Sequence, residues 1–344
     1  MSMKRIGVIL FSLLFIIAAY ITYSYASKIY LKGVDMDASE KYFYIHKGTS
    51  LAELTHQLYV QGILKDTASF LWVAEKKSFD TPKAGRFLIR DKMSNNKLVN
   101  ILRSGMQEPL KLTLNSVRTL PKLAGSVGST LYLDSARLIR ALADSQIASK
   151  FGFDRYKFPT MIIPNTYEFY WDTDVDEFLQ RMATEYKRFW TEERKQKAKS
   201  LGLSQSEVSI LASIVQAEQQ MHRDERPKVA GVYLNRLEKG MRLQSDPTLI
   251  FALNDYTIKR VLNEHKRVNS PFNTYKYAGL PPGPINIPEI SSIDAVLNAE
   301  DHNYIYMCAK ADFSGYHHFA ATYNQHERYA AQYRRELNRR RIMR

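Results

Sequence analysis

The stretch Ser204-Gln205-Ser206-Glu207-Val208-Ser209-Ile210-Leu211-Ala212-Ser213-Ile214-Val215-Gln216-Ala217-Glu218 opens on a serine followed three residues later by a glutamate. That spacing is a capping box, so a helix starts after Ser204. Leu211, Ile214 and Val215 then fall at i, i+3 and i+4, which is one apolar face. The next position on that face is Glu218. A carboxylate there loses hydration unless something compensates, and burial raises its pKa because the charged form is disfavoured. A carboxylic acid still protonated near neutral pH is what general-acid catalysis needs. The structural alternative is that Glu218, near the helix end, swings to solvent or pairs with an arginine.

Downstream, Asp224 is placed to cap a second helix, with Val229, Val232, Tyr233 and Leu237 inward and Gly240 as its stop. Asn235 and Arg236 lie near its end. Met241 to Thr248 (MRLQSDPT) reads as a polar loop flanked by apolar residues. Asn273-Thr274-Tyr275 and the stiff turn Gly279-Leu280-Pro281-Pro282-Gly283-Pro284 follow. Amides, a hydroxyl and an aromatic on rigid loops suit a sugar, whose hydroxyl and N-acetyl groups take hydrogen bonds and whose apolar face takes a ring. From His326 the chain is a basic helix bearing Arg334, Arg335, Arg339, Arg340 and Arg341, read as a solvated end with contact to an anionic polymer as the alternative.

Upstream, Asp174 to Gly202 is charged and amphipathic, with Phe178, Met182, Tyr186 and Phe189 as a core stripe. Residues 119–200 read as mostly helical, broken at Phe158-Pro159 and at Ile163 to Tyr167. Leu110 to Leu114 reads as a strand. Before it, a small module has the order strand, helix, helix, strand, helix. Tyr42 to Ile45 is the first strand, and Thr49 or Ser50 caps a helix with Leu51, Leu54 and Leu58. A helix from Ser69 to Lys76 and a strand from Gly85 to Ile89 follow. Ser94 then caps a helix ended by Gly105. The strand–GTS–helix opening resembles a LysM module, a small fold associated with wall glycans.

Ile6 to Ala26 is apolar and uncharged. At about 1.5 Å per residue it spans roughly 30 Å, a bilayer core. Lys4 and Arg5 precede it, and Tyr20, Tyr23 and Tyr25 crowd its far end. The positive-inside rule leaves residues 1–5 in the cytoplasm and sends the rest outside, although Lys28 and Lys32 weaken the asymmetry. The adopted reading is a single-pass anchor in the plasma (inner) membrane. A cleaved signal ending at Ser24-Tyr25-Ala26 is the alternative.

The chain has 344 residues, which suggests about two domains. Its 45% hydrophobic content is enough for a real core and excludes a mainly disordered chain. One cysteine, Cys308, excludes an intrachain disulfide and a cysteine-based zinc site. No phosphate-cradling glycine loop of known type is present. The net charge of +14 asks for an anionic partner. Outside the cytoplasm that partner is an acidic lipid or wall polymer rather than nucleic acid.

Three ordered motifs carry a resemblance: Ala212 to Glu218 (ASIVQAE), Val229 to Leu237 (VAGVYLNRL) and Gly240 to Thr248 (GMRLQSDPT). With Asn273-Thr274-Tyr275, the Gly279 to Ile285 turn and His317-His318-Phe319, the chain resembles the endolytic murein transglycosylases, the MltG or YceG-like family, over nearly its whole length. Where the family often has Glu-Lys-Glu, this chain has Gln216-Ala217-Glu218, so the family's catalytic glutamate maps to Glu218. The family's Glu-Gly before Pro-Asp-Thr is missing, and Pro164-Asn165-Thr166-Tyr167 keeps only part of that pattern.

The resemblance implies an α+β chain: an N-terminal transmembrane helix, a small LysM-like βααβ module and a mixed helical/β lysozyme-like catalytic domain. The expected divisions are a tail (1–5), an anchor (6–26), a stalk (27–41), the module (42–108) and the catalytic region (109–344). It also implies a lyase that cuts the MurNAc-β-1,4-GlcNAc bond inside glycan strands to leave 1,6-anhydroMurNAc ends, terminating nascent strands beside peptidoglycan synthases. No metal or cofactor is implied. Glu218 is the acid, and then the base toward the sugar's own C6 hydroxyl, whereas ordinary glycosidases use two carboxylates. Gln244, Asp246, Asn273, Tyr275 and Asn235 are the substrate-binding candidates. The alternatives are a non-catalytic wall-binding scaffold, or a hydrolytic muramidase with Asp246 as base.

Overall fold

The computed structural model describes residues 3–31, 33–258 and 260–340. Met1 and Ser2 of the expected tail, Lys32 of the stalk and Arg341 of the basic end lie outside the described residues. The chain divides into two units, Met1–Lys111 with Glu168–Thr173, and Leu112–Tyr167 with Asp174–Arg344.

The first unit begins with α1 (Met3–Tyr30). Ile6–Tyr30 is long and apolar enough to cross a membrane, and its large apolar side chains from Ile6 to Tyr25 are exposed. The helix therefore runs past Ala26 into the expected stalk. Its last turns are already packed, with Tyr25 edge-on to Trp72 at 5.0 Å and the Asn95 side chain donating to Lys28 O at 3.1 Å. A Cβ at Gly33 would lie 2.2 Å from Asn95 Oδ1, so only glycine permits this approach.

The rest of the stalk is no stalk either. Gly33 N and Val34 N both donate to Met93 O at 2.9 Å, Met36 N donates to Asp91 Oδ1, and Val34 is wholly buried. An apolar residue with that register is drawn into the core. The polar neighbours that suggested a linker face outward.

The module follows in the expected order: β1 (Glu40–Ile45), α2 (Leu51–Val60), α3 (Thr67–Lys76), β2 (Gly85–Arg90) and α4 (Asn95–Ser104). Ser50 and Glu53 close a capping box on α2, Asp66 caps α3 so that it starts two residues before the expected Ser69, and Gly105 ends α4 in the left-handed region (φ 74°). β1 and β2 are antiparallel, with Phe43 opposite Phe87. Both rings are buried with Ile45, Leu54, Leu58, Phe70, Leu98 and Leu102 in one core.

In the remaining chain come β3 (Leu110–Thr113), α5 (Leu120–Thr130), α6 (Ser135–Ala143), α7 (Ser145–Lys150) and β4 (Thr166–Phe169). The expected Asp174–Gly202 helix is two. α8 (Val175–Phe189) ends at Trp190, and Thr191 caps α9 (Glu192–Ser200). Phe178, Met182 and Tyr186 are buried as the stripe requires, while Phe189 is half-buried.

α10 (Gln205–Glu218) carries the expected capping box. It is not amphipathic: every side chain from Val208 to Val215 is buried, serines included. A helix covered all round is a central one, and α10 packs against α9, α11 (Arg226–Glu238), α12 (Asp246–Leu253) and α13 (Ile290–Leu297). Asp224 does not cap α11. It sits in a short 3-10 turn, Arg223–Glu225, that leads into the helix. On α11 Val229, Val232 and Tyr233 are buried as expected and Arg236 with them, whereas Leu237 is only half-buried. The expected loop at Asp246-Pro247-Thr248 is the first turn of α12, because proline suits a helix start. α13 and the hairpin β5 (Tyr306–Ala309)–β6 (His317–Ala320) were not anticipated. The last helix, α14 (Tyr323–Arg339), starts three residues before His326 and is not a free end. Its Tyr329 stacks on His318 at 4.3 Å and His326 on Tyr306 at 5.3 Å.

A packed segment and a solvated stalk respond differently to charge. Val34→Asp is expected to destabilise the first unit by roughly 3 kcal/mol or more, since it buries a charge with no partner. Urea unfolding checks this, and an unchanged midpoint would restore the stalk.

Candidate active site

Glu218 is the last residue of α10, so its side chain emerges where the buried helix stops. Two hydroxyls donate to the same carboxyl oxygen, Oε1: Ser245 Oγ at 2.6 Å and Tyr233 OH at 2.9 Å. Tyr233 comes from the middle of α11, and Ser245 is the residue before α12. Both are buried, at 2% and 0% exposure. Ser245 is fixed from behind. Its N–H donates to Thr274 Oγ1 at 3.0 Å, and Thr248 Oγ1 donates to Ser245 O at 2.7 Å.

Glu218 as a residue keeps some solvent contact, but its carboxyl is enclosed. Burial pushes its pKa above the ordinary carboxylate value, the hydroxyls of Ser245 and Tyr233 oppose that, and nearby Asp246 reinforces it. Burial, and then the neighbouring Glu218, hold the Tyr233 phenol well above its ordinary pKa, so it stays a donor.

A cavity of about 250 Å³ opens over the carboxyl, lined among others by Tyr233, Arg236, Gln244, Asp246, Tyr275 and His317. Gln244 is exposed and held at φ 53°, a conformation unusual outside glycine, between buried Leu243 and Ser245. Asp246, at the N-terminus of α12, accepts from Tyr275 OH at 2.5 Å. Burial and Asp246 together raise the Tyr275 pKa. These three candidates therefore share one cavity with Glu218.

The other two do not. Asn273 is wholly buried, and its amide is spent on the backbone: it donates to Lys266 O and Val268 O and accepts from Tyr275 N and Lys276 N, all at 2.8–3.2 Å. Asn235 donates to His302 O at 2.7 Å and to Tyr304 O at 2.9 Å. Both shape the loops around the cavity instead of facing it. A buried asparagine with carbonyls in reach is held by them, and sequence does not reveal that reach.

Residues outside the five substrate candidates also belong here. Tyr233 reads as core in the sequence, and Ser245 and His317 lie inside motifs without a role of their own. His317, at the start of β6, faces the cavity, and its backbone N–H and Nδ1 reach the two oxygens of Glu225 at 2.8 and 2.7 Å. Burial would raise the pKa of Glu225, but the hydrogen bonds from His317 and Gln219 prevail and lower it. Arg236 donates to Ile305 O and Leu243 O, both at 2.7 Å, so the cavity wall is tied to the hairpin.

A buried acid held by two hydroxyls in a polar cavity has what general-acid chemistry requires. The model of the YceG-like family matches residues 43–332, and the chain belongs to that family. A Bacillus subtilis (strain 168) protein named endolytic murein transglycosylase is 27% identical over 305 residues, which cover 84% of this chain and 83% of that protein. A Streptococcus pneumoniae (strain D39) protein of the same name is 26% identical over 335 residues, covering 87% of this chain and 60% of its own length. The 2.6 Å crystal structure of a YceG-like protein from Listeria monocytogenes shares the fold with a TM-score of 0.55 at 24% identity, over 84% of this chain and 98% of that one.

The raised pKa has a stability signature. A carboxyl whose folded pKa lies above its unfolded value, 4.5, makes folding less favourable as pH rises through that window. Glu218→Gln keeps an oxygen for both hydroxyls and removes the charge. It is expected to melt above wild type at pH 7, with the difference closing as pH falls toward about 4. Calorimetry across pH checks the sign.

Proposed function

We propose that this chain is a membrane-anchored endolytic murein transglycosylase, cutting the MurNAc-β-1,4-GlcNAc bond within glycan strands and leaving 1,6-anhydroMurNAc ends. The observation that carries this is Glu218: one enclosed carboxyl, with raised pKa, held by Tyr233 and Ser245 at the floor of a polar cavity. The family membership and the names of the bacterial relatives support the substrate class.

In this reading protonated Glu218 gives its proton to the glycosidic oxygen as the bond to muramic C1 breaks. Positive charge grows on C1 and the ring oxygen. The new Glu218 carboxylate is stabilised at once by the two hydroxyls, which bind the anion more strongly than the acid. It then takes the proton of the C6 hydroxyl as that oxygen closes on C1. The proton lost in the first half is recovered in the second, and water is not consumed. Gln244, Asp246, Tyr275 and His317 face the sugar, with Asp246 the negative group nearest the growing positive charge. Asn235 and Asn273 hold the walls.

α1 anchors the protein in the plasma membrane with Lys4 and Arg5 on the cytoplasmic side, and both units lie outside. The β1–α2–α3–β2 module is LysM-like and helps hold the strand, while the second unit, Leu112–Tyr167 with Asp174–Arg344, forms the lysozyme-like catalytic unit. Action beside peptidoglycan synthases terminates nascent strands. Because Asp246 lines the same cavity, hydrolysis with water as nucleophile is the second reading, and its product differs.

Two measurements test this. Full-length protein in detergent with purified murein is expected to yield anhydro ends by mass analysis, and Glu218→Gln to lower the rate by ~10²–10⁴. Reducing ends would assign hydrolysis, and near wild-type anhydro product from Glu218→Gln would move the acid elsewhere. Tyr233→Phe removes one donor to the carboxylate and so disfavours the charged form. The pH–rate limb belonging to Glu218 is expected to move upward by about one unit, with a rate loss near tenfold.

A further inference from the structure

A second cavity, about 400 Å³, lies in the unit that holds Glu218, and the mechanism makes no use of it. We propose that it takes the carboxylate-bearing stem peptide carried by the muramic acid of the substrate, with Arg118 and Arg155 as its anion-binding groups. This rests on the transglycosylase reading above.

The lining is mainly apolar and aromatic, with Tyr156, Phe251 and Phe272 on its wall and two arginines among the lining residues. The rings are set against one another: Phe251 and Phe272 centroids are 4.7 Å apart, and Tyr156 meets Phe272 edge-on at 5.9 Å. Gly283 lets the proline turn pass against this wall, since a Cβ there would lie 2.2 Å from Tyr156 O.

These two arginines, among the described residues, bond only to neutral groups. Arg118 Nη2 donates to Gln220 Oε1 at 3.3 Å. Arg155 Nη2 donates to Tyr156 OH at 2.6 Å, with the guanidinium 4.5 Å from that ring's centre. Stacking on a ring pre-orients a guanidinium while leaving its other N–H groups free for a carboxylate. Two such groups on one pocket are complementary to an acidic ligand with apolar side chains.

The pocket is also at a suitable distance from the chemistry. On α10, Ser213 accepts from Ile285 N and Asn286 Nδ2, both at the cavity wall, and Glu218 is five residues further on, about 7.5 Å. On α12 the same five-residue step separates Asp246, in the Glu218 cavity, from Phe251. Arg118 is bonded to Gln220, two residues past Glu218. A strand lying over Glu218 presents the peptide of a muramic acid within that range.

The test uses the full chain in detergent, with murein strands that carry their stem peptides and the same strands stripped by an amidase. Wild type is expected to prefer the peptide-bearing strands in kcat/KM. The Arg118→Gln/Arg155→Gln double variant should lower that preference about tenfold or more, while melting as wild type does. The Arg118→Lys/Arg155→Lys pair should keep part of it. Calorimetric binding of a soluble stem tetrapeptide should weaken to a similar degree in the Gln pair. A Gln pair that keeps both the preference and the peptide affinity overturns the proposal. If wild type makes no anhydro ends from either substrate, yet peptide binding falls in the Gln pair, the transglycosylase reading fails and the peptide site stands.

Discussion

A helix buried on every side can place an ionisable group only at its end, and α10 ends on Glu218. From Val208 to Val215 every side chain is enclosed, so the interior polar groups must be answered locally. Ser213 donates to Ile210 O and accepts from Ile285 N. Gln216 donates to Ser116 Oγ and accepts from Glu289 N and Ser292 Oγ. That two-sided bonding suits an amide, since a carboxylate has nothing to donate. α10 is therefore fixed in rotation and depth, and the carboxyl at its end points to a defined spot. The Ser245 and Tyr233 hydroxyls meet it there. Their worth depends on that rigidity, because donors placed before the charge develops need no reorganisation when it does.

A second layer holds the geometry of the layer that faces the cavity. Buried Arg226 donates to Gln219 O, to Glu289 Oε2 and to Ser292 Oγ, which ties the residue after Glu218 to the start of α13. The side chain of Gln219 bonds Glu225 and Gly315 O, and Glu225 in turn fixes His317. The chain leaving α10 is thus clamped between α11, α13 and the β5–β6 hairpin. A buried carboxylate such as Glu225 is tolerated only because three N–H groups reach it. Its role is to hold His317 against the cavity, which removal of any one donor would loosen.

Local chemistry was legible in the sequence. Capping serines at 50, 94 and 204 and glycines at 105 and 240 marked helix ends, because those signals act within one turn. The enclosed position of Glu218 was legible too, although for a partly mistaken reason. The sequence shows one apolar face, whereas α10 is apolar or small all round, and Ser209 and Ser213 disguise that. What could not be read was partnership across the chain. Asn273 and Asn235 looked like sugar ligands because nothing in their neighbourhoods names the carbonyls that hold them. Tyr233 looked like core because its ring is core, and only its hydroxyl belongs to the site. Asp246-Pro247 looked like loop because the same pair serves in turns and as a helix start. His317 was visible as part of a motif, but its buried partner Glu225 lies 92 residues earlier.

The run from Tyr30 to Met36 limits what the anchor can do. Only two residues, Leu31 and Lys32, separate the end of α1 from Gly33, whose N–H already belongs to the core of the first unit. Fully extended, that gap spans only about 10 Å. Contacts of Tyr25 and Lys28 with Trp72 and Asn95 fall inside the helix itself, before it ends. With α1 in a bilayer, as proposed, the first unit has no tether on which to range and stays at the headgroup surface. Trp72 and the tyrosines near it then sit at the depth where amphipathic rings are favoured.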